Sequence, residues 1–95
     1  DVYWVAKAGR DPLQYLRSGQ DRVALMHLKD LGLDGATVEL GRGTLEMERI
    51  IRAALLAGVE HLFVEQDDSA DPMASIGTSY RFLQELPADV RPRSR

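Results

Sequence analysis

Cysteine is absent from the 95 residues, which excludes a disulfide framework, a thiolate-bound zinc and a catalytic thiol, and fits a reducing, cytoplasmic setting. No apolar run approaches the ~18–20 residues of a membrane span, and no basic-then-apolar leader opens the chain. Positive charge is also short, with 12 Lys and Arg against 15 Asp and Glu and a net charge of -3. The one basic cluster, Arg91, Arg93 and Arg95, lies in a terminal stretch interrupted by Pro92, so the rest is more acidic still. Nucleic acid is a poor partner for such a surface, because its phosphates need a basic patch to displace counterions.

What is present describes one ordinary soluble domain with 44% hydrophobic residues. At this size about 60–65% of the unfolded chain's surface is buried, enough for a core with little margin. The chain opens on Asp1 rather than Met, directly before residues that read as structured. The expectation is that sequence upstream is missing.

Val2 to Val5 is β-branched and aromatic and reads as the end of a strand or a packed loop. Asp11-Pro12 is a helix start, with the N-cap followed by proline at the first helical position; Leu13 and Leu16 share a face and Gly19 ends a helix over about 12–18. Arg22 to Lys29 is apolar on both faces, as a strand buried in a helix-covered parallel sheet would be. Leu31 to Gly43 holds four glycines without a helical period and reads as a loop. Thr44 then caps a helix with Met47, Ile50, Ile51, Ala54 and Leu55 on one face, ending at Gly58. His61 to Gln66 repeats the buried-strand pattern. Asp71-Pro72 opens a last helix with Met73, Ile76, Tyr80 and Leu83 on one face, and the residues from 87 to 95 read as a disordered tail. Three strand-helix units in this order imply a parallel sheet, either small and open or part of a closed (β/α)8 barrel.

In parallel α/β folds the reactive groups lie at the carboxyl ends of the strands. That rule selects His27, Lys29 and Asp30 on one strand, Glu65, Asp67 and Asp68 on the next, and Asp1 at the end of whatever precedes Val2. His27 alone reads as easily as a structural histidine, and Glu65 as an ion-pair partner. Together with Asp1 they form a nitrogen-and-oxygen donor set suited to Mn, Mg, Co or Zn. Lys29-Asp30 reads equally as an ion pair holding a loop or as substrate contacts, Arg42 as a phosphate contact or a solvated loop residue, and Trp4 as a substrate wall or a packed aromatic. His61, at the other end of its strand, reads as structural.

Asp1-Val-Tyr-Trp-Val, Ala8-Gly9-Arg10-Asp11-Pro12, Val23-Ala-Leu-Met-His27-Leu-Lys29-Asp30, Glu39-Leu-Gly41-Arg-Gly43 and Val64-Glu65-Gln66-Asp67 together resemble the carboxyl-terminal part of the sugar phosphate isomerase/epimerase family, the xylose-isomerase-like TIM barrels. The resemblance is ordered over residues 1–86. It implies three βα units of a parallel barrel, with a divalent metal held by Glu, Asp, His and Glu from successive strand ends. Asp1, His27 and Glu65 match the last three, and the first glutamate would lie upstream. The implied chemistry is proton transfer next to a carbonyl through an enediolate, with Glu65 as one of two acid/base glutamates, on a small sugar or polyol. Trp4, Lys29, Asp30 and Arg42 would meet the substrate.

Two departures separate the chain from sugar 3-epimerases: Trp4 stands where they carry a histidine, and Leu33 where they carry an arginine. DNA-repair enzymes of the endonuclease IV type have an Asp-x-His pair before the Gly-x-Gly loop, where this chain has Ala36-Thr37-Val38-Glu39-Leu40. The alternatives are an inosose-dehydratase-like lyase on the same barrel and a non-catalytic binding or assembly module. An isolated piece of barrel is expected to be inactive and, with open strand edges, to self-associate.

Overall fold

The computed structural model describes residues 1–91. Its elements are the helices α1 (Val2–Lys7) and α2 (Pro12–Ser18), the strands β1 (Leu25–Leu28), β2 (Asp30–Leu31) and β3 (Thr37–Val38), helix α3 (Met47–Leu56), strand β4 (His61–Val64) and helix α4 (Pro72–Gln84). β1 pairs with β4 in parallel, with His27 opposite Phe63 and Leu28 opposite Val64. β2 and β3 form a separate two-stranded antiparallel pair.

Both Asp-Pro helix starts are observed. The Asp11 carboxylate accepts from the Leu13 N–H at 3.0 Å, and that of Asp71 from the Ala74 N–H at 3.2 Å, each ahead of a proline that needs no hydrogen bond there. α3 lays Met47, Ile50, Ile51 and Ala54 against Met26 and Leu28 of β1, and all six are buried. Each large side chain so buried contributes about 1.5–3 kcal/mol.

Several expectations are corrected. Val2 to Val5 is helical: the Asp1 side chain accepts from the N–H groups of Tyr3 (3.0 Å) and Trp4 (3.4 Å), and this cap together with burial of Val2 and Tyr3 overrides their strand preference. Among the described residues the parallel strands are therefore two, not three. Thr44 does not cap α3, whose N-cap is Glu46 without a side-chain bond; the Thr44 hydroxyl donates to the Leu31 carbonyl at 2.9 Å and closes the loop that contains β2 and β3. On α4, Leu83 packs against the core while Met73, Ile76 and Tyr80 are exposed, and Ser75 and Ser79 are buried, because the helix packs on the segment around Leu40 and Gly41. The tail is placed through Arg91: Val90 is fully buried, Asp89 accepts from Arg52 at 2.7 Å and Arg91 donates to the Leu86 carbonyl at 3.1 Å. The rest of the expected disordered tail, 92–95, lies outside the described residues.

The two strands were expected to be covered on both sides. Only the face carrying Met26 and Leu28 is covered; on the other, Leu25 is 57% and Phe63 49% exposed, with His27 beside them. Among the described residues no helix is long and apolar enough to cross a membrane.

Candidate metal and proton-transfer site

Strand periodicity builds the site. Side chains two residues apart share a face, so His27 and Lys29 leave the end of β1 on the same side, as do Glu65 and Asp67 after β4. The Glu65 N–H donates to the Leu28 carbonyl at 2.9 Å, which extends the parallel register by one step and sets Glu65 level with Lys29. Asp1 approaches from the start of α1. Its Oδ1 is occupied by the cap, leaving Oδ2 to face the strand ends.

The three groups converge. His27 Nδ1 lies 3.0 Å from Glu65 Oε2 and 3.7 Å from Asp1 Oδ2, and one donor atom from each residue lies within 4.8 Å of the others. Two ligands of one ion are at most about 4.4 Å apart when each bond is near 2.2 Å. Small side-chain adjustments suffice, and one imidazole with two carboxylates is a donor set for borderline or hard divalent ions.

Lys29 stands at the back of this cluster. Its side chain is 3% exposed, with Nζ 3.0 Å from Asp1 Oδ2, 2.9 Å from Asp67 Oδ2 and 3.5 Å from Glu65 Oε2. The rings of Tyr3 and Trp4 lie beside it, with centroids 5.4 and 5.5 Å from Nζ. Burial pushes the ammonium's pKa down, but the hydrogen bond to Asp67 and the charges of Glu65 and Asp67 outweigh it and hold the pKa above its usual value. Lys29 is thus a fixed cation that ties three carboxylates together.

The remaining expected site residues separate. Trp4 stays at the rim, 53% exposed and edge-on to Tyr3. Asp30 is no substrate contact: it is fully buried, with Oδ1 accepting from the N–H groups of Leu31 (2.9 Å) and Leu45 (3.2 Å) and Oδ2 from those of Gly41 (2.9 Å) and Gly43 (3.2 Å). Both oxygens are spent on backbone N–H groups of its own neighbour Leu31, of the Gly41-Arg42-Gly43 loop and of Leu45 just beyond it. Arg42, on that loop, is exposed and lines a surface hollow with Arg81 and Phe82; its charge helps hold the Glu39 carboxyl low.

Two features lay beyond sequence reasoning. Asp67 reads only as a strand-end residue, although its two-residue spacing from Glu65 repeats that of His27 and Lys29. The second feature is a network in which Glu39 Oε2 accepts from Ser75 Oγ at 2.7 Å and Gln66 Nε2 at 3.0 Å, which lowers the Glu39 pKa and fastens the end of β3 to α4. No spacing signals it, because its members are 27 and 36 residues from Glu39.

No protein-family model and no curated relative matches the sequence. Among solved structures, a crystal structure of a sugar phosphate isomerase/epimerase from Parabacteroides distasonis matches with a TM-score of 0.79 and 25% identity, over 97% of this chain and 31% of that one. A second such structure from the same organism matches with a TM-score of 0.79 and 23% identity, over 92% of this chain and 29% of the other. The chain spans about a third of the length of either. Over nearly all its length it is therefore similar to the sugar phosphate isomerase/epimerases, and its two parallel strands with their helices form part of an α/β TIM barrel.

Proposed function

We propose that the chain supplies part of the active site of a divalent-metal-dependent isomerase or epimerase acting on a small sugar or sugar phosphate, and that Asp1, His27 and Glu65 hold the ion. The observation that carries this reading is their convergence at the strand ends, the carboxyl side on which parallel α/β folds place chemistry. When bound, a divalent ion polarises a carbonyl and its neighbouring hydroxyl. Glu65, open to solvent over 39% of its side chain, is the group placed to take up or return the proton next to that carbonyl. Lys29 holds Asp1 and Glu65 in place, and Trp4 offers an apolar wall at the rim. The acidic surface favours a small polyol over nucleic acid.

The isolated chain is expected to show little or no turnover of keto-sugars, since positioning and metal geometry act as a unit and it spans about a third of its structural neighbours. Titration with Mn followed by electron paramagnetic resonance tests the binding step directly. The expected result is saturable uptake of one ion per chain, lost in His27→Ala and weakened at least tenfold in Glu65→Gln. Uptake indifferent to both substitutions would remove the site.

A further inference from the structure

The segment that carries Glu65 and Asp67 has little backbone support of its own. β4 ends at Val64, and the Glu65 N–H makes the last bond to the β1 strand, at 2.9 Å to the Leu28 carbonyl; among the described residues, none of residues 66–70 takes part in a backbone–backbone hydrogen bond. Such a segment opens readily unless side chains hold it. What holds this one stands on its reverse side. By strand alternation Gln66 points away from Glu65 and Asp67, and its Nε2 donates to Glu39 Oε2 at 3.0 Å and to the Asp68 carbonyl at 2.9 Å.

The direction of each bond in this group is fixed. Ser75 Oγ gives its one proton to Glu39 Oε2 at 2.7 Å, so in its 2.6 Å contact with Ser69 Oγ it accepts. Ser69 Oγ accepts in turn from the Asp71 N–H at 3.1 Å. A line of donors from Asp71 through Ser69 and Ser75 therefore ends, together with Gln66, on one carboxylate oxygen. Gln66 Oε1 is left buried without a partner. The amide bears that cost because turning it over would set this oxygen against those of Glu39 and Asp68. Glu39 is itself held firmly, since the Leu40 N–H donates to Ser79 Oγ at 3.1 Å and the Gly41 N–H to Asp30 Oδ2 at 2.9 Å.

We propose that Glu39 is a positioning residue of the candidate site. By holding Gln66 it keeps Glu65 at 3.0 Å from His27 and Asp67 at 2.9 Å from Lys29 on the other side of the same backbone. The loop that begins at Asp30, directly after Lys29, thus ties together the ends of both parallel strands: Asp30 secures the loop, and Glu39 reaches from it to the segment after β4. The consequence for metal binding rests on the function proposed above. The fastening of Glu65 does not.

The test compares Glu39→Ala, Glu39→Gln and Gln66→Leu with the parent chain, and Asp11→Ala, which strips the cap of α2, serves as a destabilised control. Amide hydrogen exchange without metal sets the Glu65 N–H against that of Glu60, which is bonded to the Ala24 carbonyl at 2.8 Å before the start of β4. Titration with Mn then reads the site. Glu39→Ala should speed exchange at Glu65 about tenfold relative to Glu60 and weaken Mn uptake about tenfold. Gln66→Leu, which removes the link and leaves Glu39 in place, should repeat that result. Glu39→Gln keeps an oxygen that accepts from Ser75 and Gln66, and should stay within about twofold of the parent chain in both measurements. Asp11→Ala should lower the melting midpoint and change neither the exchange ratio nor the uptake. Exchange at Glu65 that is unchanged, or that rises in step with Glu60, would overturn the proposal. So would Glu39→Gln behaving like Glu39→Ala, or an equal loss of Mn uptake in Asp11→Ala. Opening at Glu65 in a chain that takes up no Mn would support the fastening and remove the metal reading alone.

Discussion

Lys29 and Asp30 are neighbours with opposite tasks, and strand alternation separates them: Lys29 turns toward the carboxylates at the strand ends, while Asp30 turns into the loop that follows. Lys29→Met should cost about 3 kcal/mol, because the partners it leaves behind repel one another, and chemical denaturation measures this. The pKa shifts also give a pH dependence. Lys29 is raised above 10.5, so its contribution is complete below that value and is lost as the pH climbs through the raised one. Glu39 is lowered from 4.5, so its contribution is complete above that value and disappears as the pH falls through the lowered one. A stability-pH profile should decline at both ends; in Glu39→Gln the acid-side decline should shrink. Gly43 is confined by the same loop. A Cβ there would stand 2.6 Å from Asp30 Cγ and from the Leu31 carbonyl, so Gly43→Ala should destabilise by about 2–3 kcal/mol. Asp30→Ala, which strips four N–H groups of their acceptor, should cost at least as much.

At the scale of elements, legibility followed the locality of the signal. Asp11-Pro12 and Asp71-Pro72 are complete instructions within two residues, and both helices start there. Asp71→Ala should remove about 1 kcal/mol, measurable as a lower melting midpoint. The apolar runs of β1 and β4 were equally readable. Val2 to Val5 was not, because propensity speaks for a strand while a single side chain, Asp1, caps a helix. The Asp1, His27 and Glu65 grouping could be assembled from strand-end positions and family motifs. The Asp30 loop and the Glu39 network could not, since they join residues by backbone N–H groups or across nearly 40 positions, where side-chain type carries no register. The stripe on α4 was legible as a stripe; which way it faced depends on what else is present to cover it.

For the molecule as a whole, one decision governs the rest: α3 covers one face of the β1 and β4 pair, and the other face carries the candidate site in the open. That arrangement suits the inside of a barrel, where the face bearing Leu25, His27 and Phe63 would look toward the axis. It also means that the free chain should self-associate or melt broadly, which sedimentation and thermal unfolding at several concentrations will reveal. The central claim, that the strand ends gather a divalent-ion site, is tested most directly through the two histidines. His27 is in the cluster, and His61 begins β4 at its opposite end. Nuclear magnetic resonance of the imidazole nitrogens during titration with Zn should shift the His27 signals at one equivalent and leave those of His61 in place. If the His27 signals stay fixed, or the two histidines respond alike, Asp1, His27 and Glu65 are an ion-pair cluster around Lys29 and not a metal site.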